Sequence, residues 1–264
     1  MTRVSSSRSY SSVSIALLTF LLSSSTSSPD ALQLFHKMQT ALGGAEKIAF
    51  VRDFEQIVRA DSWFDDGTPR SGVVRKRVRF VRPNYLRIDQ IGPGDTYVLY
   101  FDGTSGWEIL PDGTVAELAG DELKSAQGYL TGLNLNFWLA DRDPSRVITS
   151  SGSNVIVVSA KDDSAQKTEI TVDPVTFLPV KQAGILHAGS DHSVHQEMRF
   201  EQWEISGGVK FPQRSSNFHD GKKLAEITAE LTRLNSGIKP GDLAIKPPDL
   251  KPVMSRPRQN AHLL

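Results

Sequence analysis

Apolar and polar residues alternate in short runs over most of the chain, and residues 73–81 show this pattern most plainly. In that run Val74, Val78 and Phe80 fall on one side of an extended chain, whereas three arginines fall on the other. A period of two is typical of a β-strand with one buried face. Tight-turn residues separate successive runs, so we expect an antiparallel meander rather than parallel strands joined by helices.

The same alternation predicts the other strands along the chain. They cover residues 54–63, 85–90, 96–101, 106–110, 115–118, 146–149, 155–160, 167–172, 179–186, 196–205, 209–218 and 222–234. Apolar residues at three- and four-residue spacing instead predict helices at about 29–42 and 121–140, with a short helical turn at 45–50. Ser28 is the expected N-cap of the first helix, and Gly43-Gly44 is expected to end it.

The first 28 residues have the features of an export signal. Arg3 and Arg8 give a basic start, an apolar run covers 13–22, and small residues follow at 23–28. That order is typical of a secretory signal with its cleavage region, and the apolar run is too short to span a bilayer. A disordered serine-rich tail is the alternative, but it gives no reason for the apolar run. We therefore expect the protein to be exported and cleaved.

Composition narrows the class of protein. Apolar residues make up 39% of the chain and charged residues 23%, which is typical of a globular domain. Lys plus Arg and Asp plus Glu number 30 each, so no strong field attracts nucleic acid. The sequence has no cysteine, which excludes disulfides, thiolate metal sites, a cysteine nucleophile and lipid attachment through an N-terminal cysteine.

Candidate chemistry is sparse. The sequence has no G-x-S-x-G elbow, no P-loop, no G-x-G-x-x-G fingerprint and no zinc-protease helix motif. His187, His192 and His195 could offer metal ligands, but their segment has the pattern of a loop and no carboxylate completes a known spacing. The acidic pairs 65–66 and 162–163 have the pattern of turns. We therefore expect no enzyme activity, no metal site and no cofactor.

A basic stripe lies on one face of a predicted strand, formed by Arg75, Arg77 and Arg79. We favour a solvated outer face for this stripe. A docking surface for an acidic partner is the alternative interpretation.

Several segments, taken in order, resemble the outer-membrane lipoprotein carrier family, the LolA/LolB-like superfamily. Segment 82–87 is similar to that family's R-P-N-x-x-[RN] sequence, and 101–107 is similar to its D-G-x-x-x-W hairpin. Segment 173–180 looks like the D-P-x-T-x-x-P turn of related envelope proteins. Further likenesses lie at 41–47, 54–56, 207–212 and 234–238. Each motif is common alone, so the resemblance depends on their order behind an export signal.

The resemblance implies an α+β fold, an open antiparallel half-barrel of about eleven strands with helices across its concave face. In that family the concave space receives acyl chains of lipoproteins or lipids. We accordingly expect a signal peptide at 1–28, a half-barrel domain at 29–240 and a proline-rich tail at 241–264. The mature protein is expected to be a periplasmic or otherwise exported monomer without lipidation. Its expected partners are lipoprotein or lipid acyl chains and envelope proteins, but not nucleic acid.

The alternation and the resemblance together place a set of apolar side chains on the inner face. The expected ligand-binding residues are Val78, Phe80, Leu86, Ile88, Leu99, Phe101, Trp107, Ile109, Leu130, Leu133, Phe137, Ile170, Val172, Met198 and Phe200. A solid core built from the same residues is the alternative, because periodicity cannot distinguish a groove from a packed interior. A sensor or protein-interaction module on the same fold is the second candidate function, and a hydrolase is the third.

Overall fold

A computed structural model describes residues 28–64, 66–91, 97–132, 134–162, 167–187 and 193–246. These residues form one antiparallel sheet of 13 strands. The strands are β1 (Asp53–Ser62), β2 (Val74–Val81), β3 (Tyr85–Ile91), β4 (Val98–Phe101), β5 (Gly106–Ile109), β6 (Val115–Glu117), β7 (Arg146–Gly152), β8 (Val155–Ala160), β9 (Lys167–Val172), β10 (Pro179–His187), β11 (Ser193–Ser206), β12 (Val209–His219) and β13 (Lys222–Leu234). The helices are α1 (Pro29–Ala41), α2 (Ala45–Phe50), α3 (Gly120–Gly132), α4 (Asn134–Phe137) and α5 (Pro240–Ala244), with a 3-10 turn at Ala140–Arg142.

Two meanders make up the sheet, whose order is β6-β5-β4-β3-β2-β1-β13-β12-β11-β10-β9-β8-β7. The first meander runs outward from β1 to the edge strand β6. The second runs inward from the opposite edge strand, β7, until β13 pairs with β1. The two edge strands do not pair with each other in the described chain, so the barrel stays open. The chain between β6 and β7 must therefore cross one face of the sheet, and it contains α3 and α4.

This architecture confirms the predicted open half-barrel of the α+β class. Each segment in which the residue pattern predicts a strand corresponds to one strand of the sheet. The residue pattern therefore predicts the 13 strands that are observed, whereas the family resemblance implies about eleven. The predicted middle helix is two helices followed by the 3-10 turn.

The main core lies between the sheet and helices α1 to α4, on the side that we call the concave face. Phe35 and Met38 on α1, and Leu42 directly after it, have side chains that are fully buried in this core. Ser28 occupies the predicted N-cap position, but its side chain makes no capping hydrogen bond. Its backbone N–H instead donates to the Ile148 carbonyl on β7 at 2.9 Å, which joins the start of α1 to the sheet.

The chain after β13 returns to the opposite side of the sheet, the convex face. The Asp53 carboxylate accepts hydrogen bonds from the Ser236 N–H and hydroxyl and from the Gly237 N–H, which fixes the end of β13. Helix α5 then packs against β3, and its Leu243 side chain is fully buried. The segment expected as a proline-rich tail from residue 241 thus begins within a short helix, which forms because Leu243 can bury against the sheet.

Candidate ligand-binding site on the concave face

Cross-strand pairing shows which side chains share the concave face. Phe80 on β2 pairs with Leu86 on β3, which in turn pairs with Phe101 on β4. In the next row Val78 pairs with Ile88. Because directly opposed residues point to the same side of a sheet, these five side chains form one apolar patch.

Ten of the expected ligand-binding residues belong to the main core on this face. They are Val78, Phe80, Leu86, Ile88, Leu99, Phe101, Leu130, Phe137, Ile170 and Val172. All ten are buried, so this part of the concave face is packed against the helices. Register places Met198 and Phe200 on the same face, where Met198 is half-buried and Phe200 is buried. Leu133 lies outside the described residues.

Trp107 and Ile109 lie on the convex face, so their expected place beside Leu99 and Phe101 is wrong. In the β4–β5 hairpin Trp107 pairs with Tyr100, whereas Leu99 pairs with Glu108. Odd-numbered residues on β4 and even-numbered residues on β5 therefore point to the concave face. Trp107 and Ile109, which are odd-numbered residues of β5, point to the opposite face. Trp107 and Ile109 form a small second cluster with Val98 on the convex side.

Polar side chains interrupt the apolar concave face. These concave polar residues are Lys76, Gln90, Gln182, Gln196 and Asn217, and each is half-buried. Lys76 pairs with Val58 on one side and Gln90 on the other, and Asn217 pairs with Met198. Burial lowers the pKa of Lys76. Among the described residues, the buried Oδ1 atom of Asn217 has no hydrogen-bond partner. This part of the face is thus less apolar and more open than the packed core beside it.

Tyr129 lies on α3 at the margin of the main core. Its residue surface is 36% exposed, yet burial raises the pKa of its hydroxyl to about 12. Part of the residue therefore contacts solvent, while neighbouring protein surrounds its hydroxyl. Its helix neighbours Ala126 and Leu130 are buried in the main core.

A separate groove of about 780 Å³ lies outside the half-barrel, along α1. Its lining includes Leu32, His36 and Lys37 from α1, together with Phe177 from the turn between β9 and β10. The Lys37 ammonium lies 5.1 Å from the centre of the Phe177 ring. The groove has no signal in the residue pattern, because it forms between two elements that are far apart in the chain.

The basic stripe on β2 is paired with acidic residues of neighbouring strands. Arg77 lies 3.0 Å from Glu55, and Arg79 lies 2.5 Å from Asp89. Arg75 pairs with Glu230 on β13. The carboxylates neutralise this part of the convex face, which favours the solvated outer face over a docking surface for an acidic partner.

The described chain contains neither a cluster of metal-ligating side chains nor a helix suited to cross a membrane. Its residues contain no group of three or more His, Cys, Asp or Glu side chains that could hold a metal ion. His192 lies outside the described residues, as does one acid of each predicted acidic pair. None of the helices within the described ranges is long and apolar enough to cross a membrane.

The fold is similar to those of several solved structures. No family model matches the sequence, and no curated protein matches it. A solved domain named for outer membrane lipoprotein sorting, from Vibrio parahaemolyticus, is similar with a TM-score of 0.51 and 12% identity, over 80% of this chain and 95% of that one.

Two further solved structures share the fold. A LolA superfamily protein from Nitrosomonas europaea has a TM-score of 0.53 and 16% identity, over 79% of this chain and 97% of that one. A DUF1329 family protein from Desulfovibrio piger has a TM-score of 0.54 and 12% identity, over 80% of this chain and 96% of that one. The chain therefore has a LolA-like fold, as its sequence motifs predicted.

Proposed function

We propose that this protein is an exported, non-enzymatic carrier that holds the acyl chain of a lipoprotein or lipid on its concave face. The LolA-like fold supports this function, because one similar structure is named for lipoprotein sorting. The apolar core on the concave face supports it as well, because this one core contains both Phe80 on β2 and Ile170 on β9. Each methylene group buried there would contribute about 0.8 kcal/mol, so a long chain could bind tightly without a polar contact.

The proposed acyl-contacting residues are the expected ligand-binding residues on the concave face, without Trp107 and Ile109. Met198 is the half-buried member of this set and marks the proposed entrance. Helix α3 carries Gly128 and Gly132, and glycine weakens a helix interior. We propose that α3 moves aside to admit the chain to the buried part of the face.

Met198 provides the direct test of this function. Met198→Glu places a carboxylate at the proposed entrance, and it should weaken binding of a fluorescent fatty acid at least tenfold, roughly the loss expected when a charge faces a buried chain. Ile205→Glu is the matched control on the same strand, because Ile205 is 71% exposed. Circular dichroism should show that both variants fold.

Wild-type binding decides between the candidate functions. A carrier should bind the probe saturably, and native mass spectrometry of protein from an envelope fraction should release a bound lipid. Wild-type protein that binds no probe and carries no lipid would refute the carrier. A protein-interaction module on the same fold would then be the better account.

A further inference from the structure

Helix α1 has two faces with different surroundings. Its inner face is buried in the main core, where Phe35 is fully covered. Its outer face forms one wall of the groove outside the half-barrel, which we call the α1 groove, and Thr176 and Phe177 form the other wall. The lining runs from Pro29 to Ala41, which is about 18 Å along the helix axis. An extended segment of about five residues would span that length.

The Phe177 ring is held beside α1 by a well-bonded turn. Phe177 has a φ of 56°, in the left-handed region that an aromatic residue rarely adopts. Its N–H donates to the Asp173 carbonyl at 2.9 Å, and the Asp173 carboxylate accepts hydrogen bonds from the N–H groups of Val175 and Thr176. These bonds stabilise the unusual conformation. The ring is therefore already in place as a wall of the groove, and binding would not have to order it.

The charges of the α1 groove favour an anionic occupant. His36 and Lys37 line it, whereas none of the described residues that line it is acidic. The His36 Nε2 atom lies 3.3 Å from the Asp141 carboxylate. The Lys37 ammonium lies 5.1 Å from the centre of the Phe177 ring, and within the described chain it forms no ion pair with a carboxylate. Asp30 is the other charged residue on this helix, about 10 Å from Lys37 along the axis.

We propose that the α1 groove binds an extended segment of a partner protein in which an acidic residue lies next to an apolar one. The apolar side chain packs between Leu32 and Phe177, and the carboxylate pairs with Lys37. The side chains of Gln33 and Thr40 can hydrogen-bond to the main chain of the segment. Because the groove lies outside the half-barrel, this inference does not depend on the proposed carrier function.

The exposure of the lining favours a protein segment over a small molecule. Five lining residues are exposed: Gln33, His36, Lys37, Thr40 and Thr176. A small ligand on so open a surface would keep much of its area in water, whereas a small-molecule site buries most of its ligand. An extended segment instead spreads its contacts along the whole length of a groove, as in other peptide-binding domains.

A random octapeptide library displayed on phage tests the proposal, with the full mature chain as the immobilised protein. Wild type should enrich peptides in which Asp or Glu is adjacent to an apolar residue. Lys37→Glu should abolish this enrichment. Lys124→Glu is the matched control, because Lys124 lies on α3, outside the groove, and its side chain is 78% exposed. No enrichment on wild type, or enrichment of peptides that lack an acid, would overturn the proposal.

Isothermal titration calorimetry with the most enriched peptide measures the contact with Lys37. Lys37→Glu should weaken binding about tenfold, as expected when a partly exposed ion pair becomes a repulsion. Replacing the acid of the peptide by lysine should weaken binding to wild type and restore binding to Lys37→Glu. This rescue also shows that the variant folds. Equal affinity of wild type and Lys37→Glu for the original peptide would overturn the role of Lys37.

Two further measurements locate the occupant. In amide NMR spectra of wild type, the peptide should shift the resonances of α1 and of Thr176 and Phe177. Shifts confined to other parts of the chain would place the peptide elsewhere and overturn the proposal. A wild-type dimer in sedimentation velocity that Lys37→Glu dissociates would show that a second copy of this chain occupies the groove, and the partner segment would then be wrong.

Discussion

The Arg82 guanidinium donates a hydrogen bond from Nη1 to the Asn136 Oδ1 atom at 3.0 Å, which joins the end of β2 to α4. Arg82 also donates to the main-chain carbonyls of Val51, Ile48 and Leu135. These carbonyls lie in or beside α2 and α4, so one side chain holds two short helices against the sheet. Burial lowers the pKa of Arg82.

Arg82→Met should lower the free energy of unfolding by about 3 kcal/mol, because it leaves several carbonyls without a donor. Chemical denaturation measures this loss. Arg59→Met is the control, since Arg59 forms an exposed pair with Asp61 and its loss should cost under about 1 kcal/mol. Equal effects of the two substitutions would show that Arg82 does not hold the helices.

Trp107→Ala tests the corrected register. Trp107 is buried on the convex face against Tyr100, with Arg87 and Lys246 over its ring. Its removal should cost about 3 kcal/mol of stability and should speed proteolysis near α5, but palmitate binding by the folded protein should not change. Leu99→Ala, on the concave face, should weaken binding as well as stability. If Trp107→Ala lost as much palmitate binding as Leu99→Ala, Trp107 would have to lie on the concave face.

Two adjacent glycines should respond differently to the same substitution. Gly43 and Gly44 both have positive φ, at 119° and 102°. A Cβ atom on Gly43 would lie 2.2 Å from the Gly208 carbonyl oxygen, whereas one on Gly44 would meet nothing within 4 Å. Gly44→Ala should therefore cost about 1 kcal/mol from backbone strain, and Gly43→Ala should cost about 1–3 kcal/mol more from the clash. If the thermal melts of Gly43→Ala and Gly44→Ala coincided, Gly43 would not lie close to the Gly208 carbonyl.

Asp173 should make stability depend on pH. Hydrogen bonds from the Thr176 N–H and hydroxyl and from the Val175 N–H lower the pKa of Asp173 below its ordinary value. A lowered carboxyl pKa contributes stability that is present above the unfolded value of about 4 and lost as pH falls through the folded value. Asp173→Asn should therefore show a smaller loss of stability than wild type as the pH falls below about 4. The measurement is the urea midpoint of each protein as a function of pH. If the midpoints of wild type and Asp173→Asn fell in parallel, the predicted role of Asp173 would be wrong.

Export is expected to remove the N-terminal segment. The basic start, the apolar run and the small residues at 23–28 predict cleavage within those small residues. N-terminal sequencing of the protein from an envelope fraction measures the cleavage point. Material that keeps Met1 and remains in the cytoplasm would contradict export.

The residue pattern by itself determined the class of fold and the position of nearly every strand. Alternation with a period of two predicts β2 and its face, since Val78 and Phe80 are buried together as expected. The turn residues Asp102-Gly103 are typical of a hairpin and lie in the β4–β5 turn, where Gly103 has a positive φ of 99°. These features are local, because a period and a turn depend only on residues close in the chain.

The tertiary structure decided which residues meet. Alternation could not place Trp107, because the phase of each new strand depends on how the preceding turn sets the register. It also could not pair Arg82 with Asn136, or join β13 to β1, since these contacts link segments far apart in the chain. Lys76 already stood at an inward position in the sequence, but only the assembled structure, in which β1 and β3 lie on either side of β2, buries it. Burial and register are properties of the assembled sheet, and they determine which side chains form the candidate site.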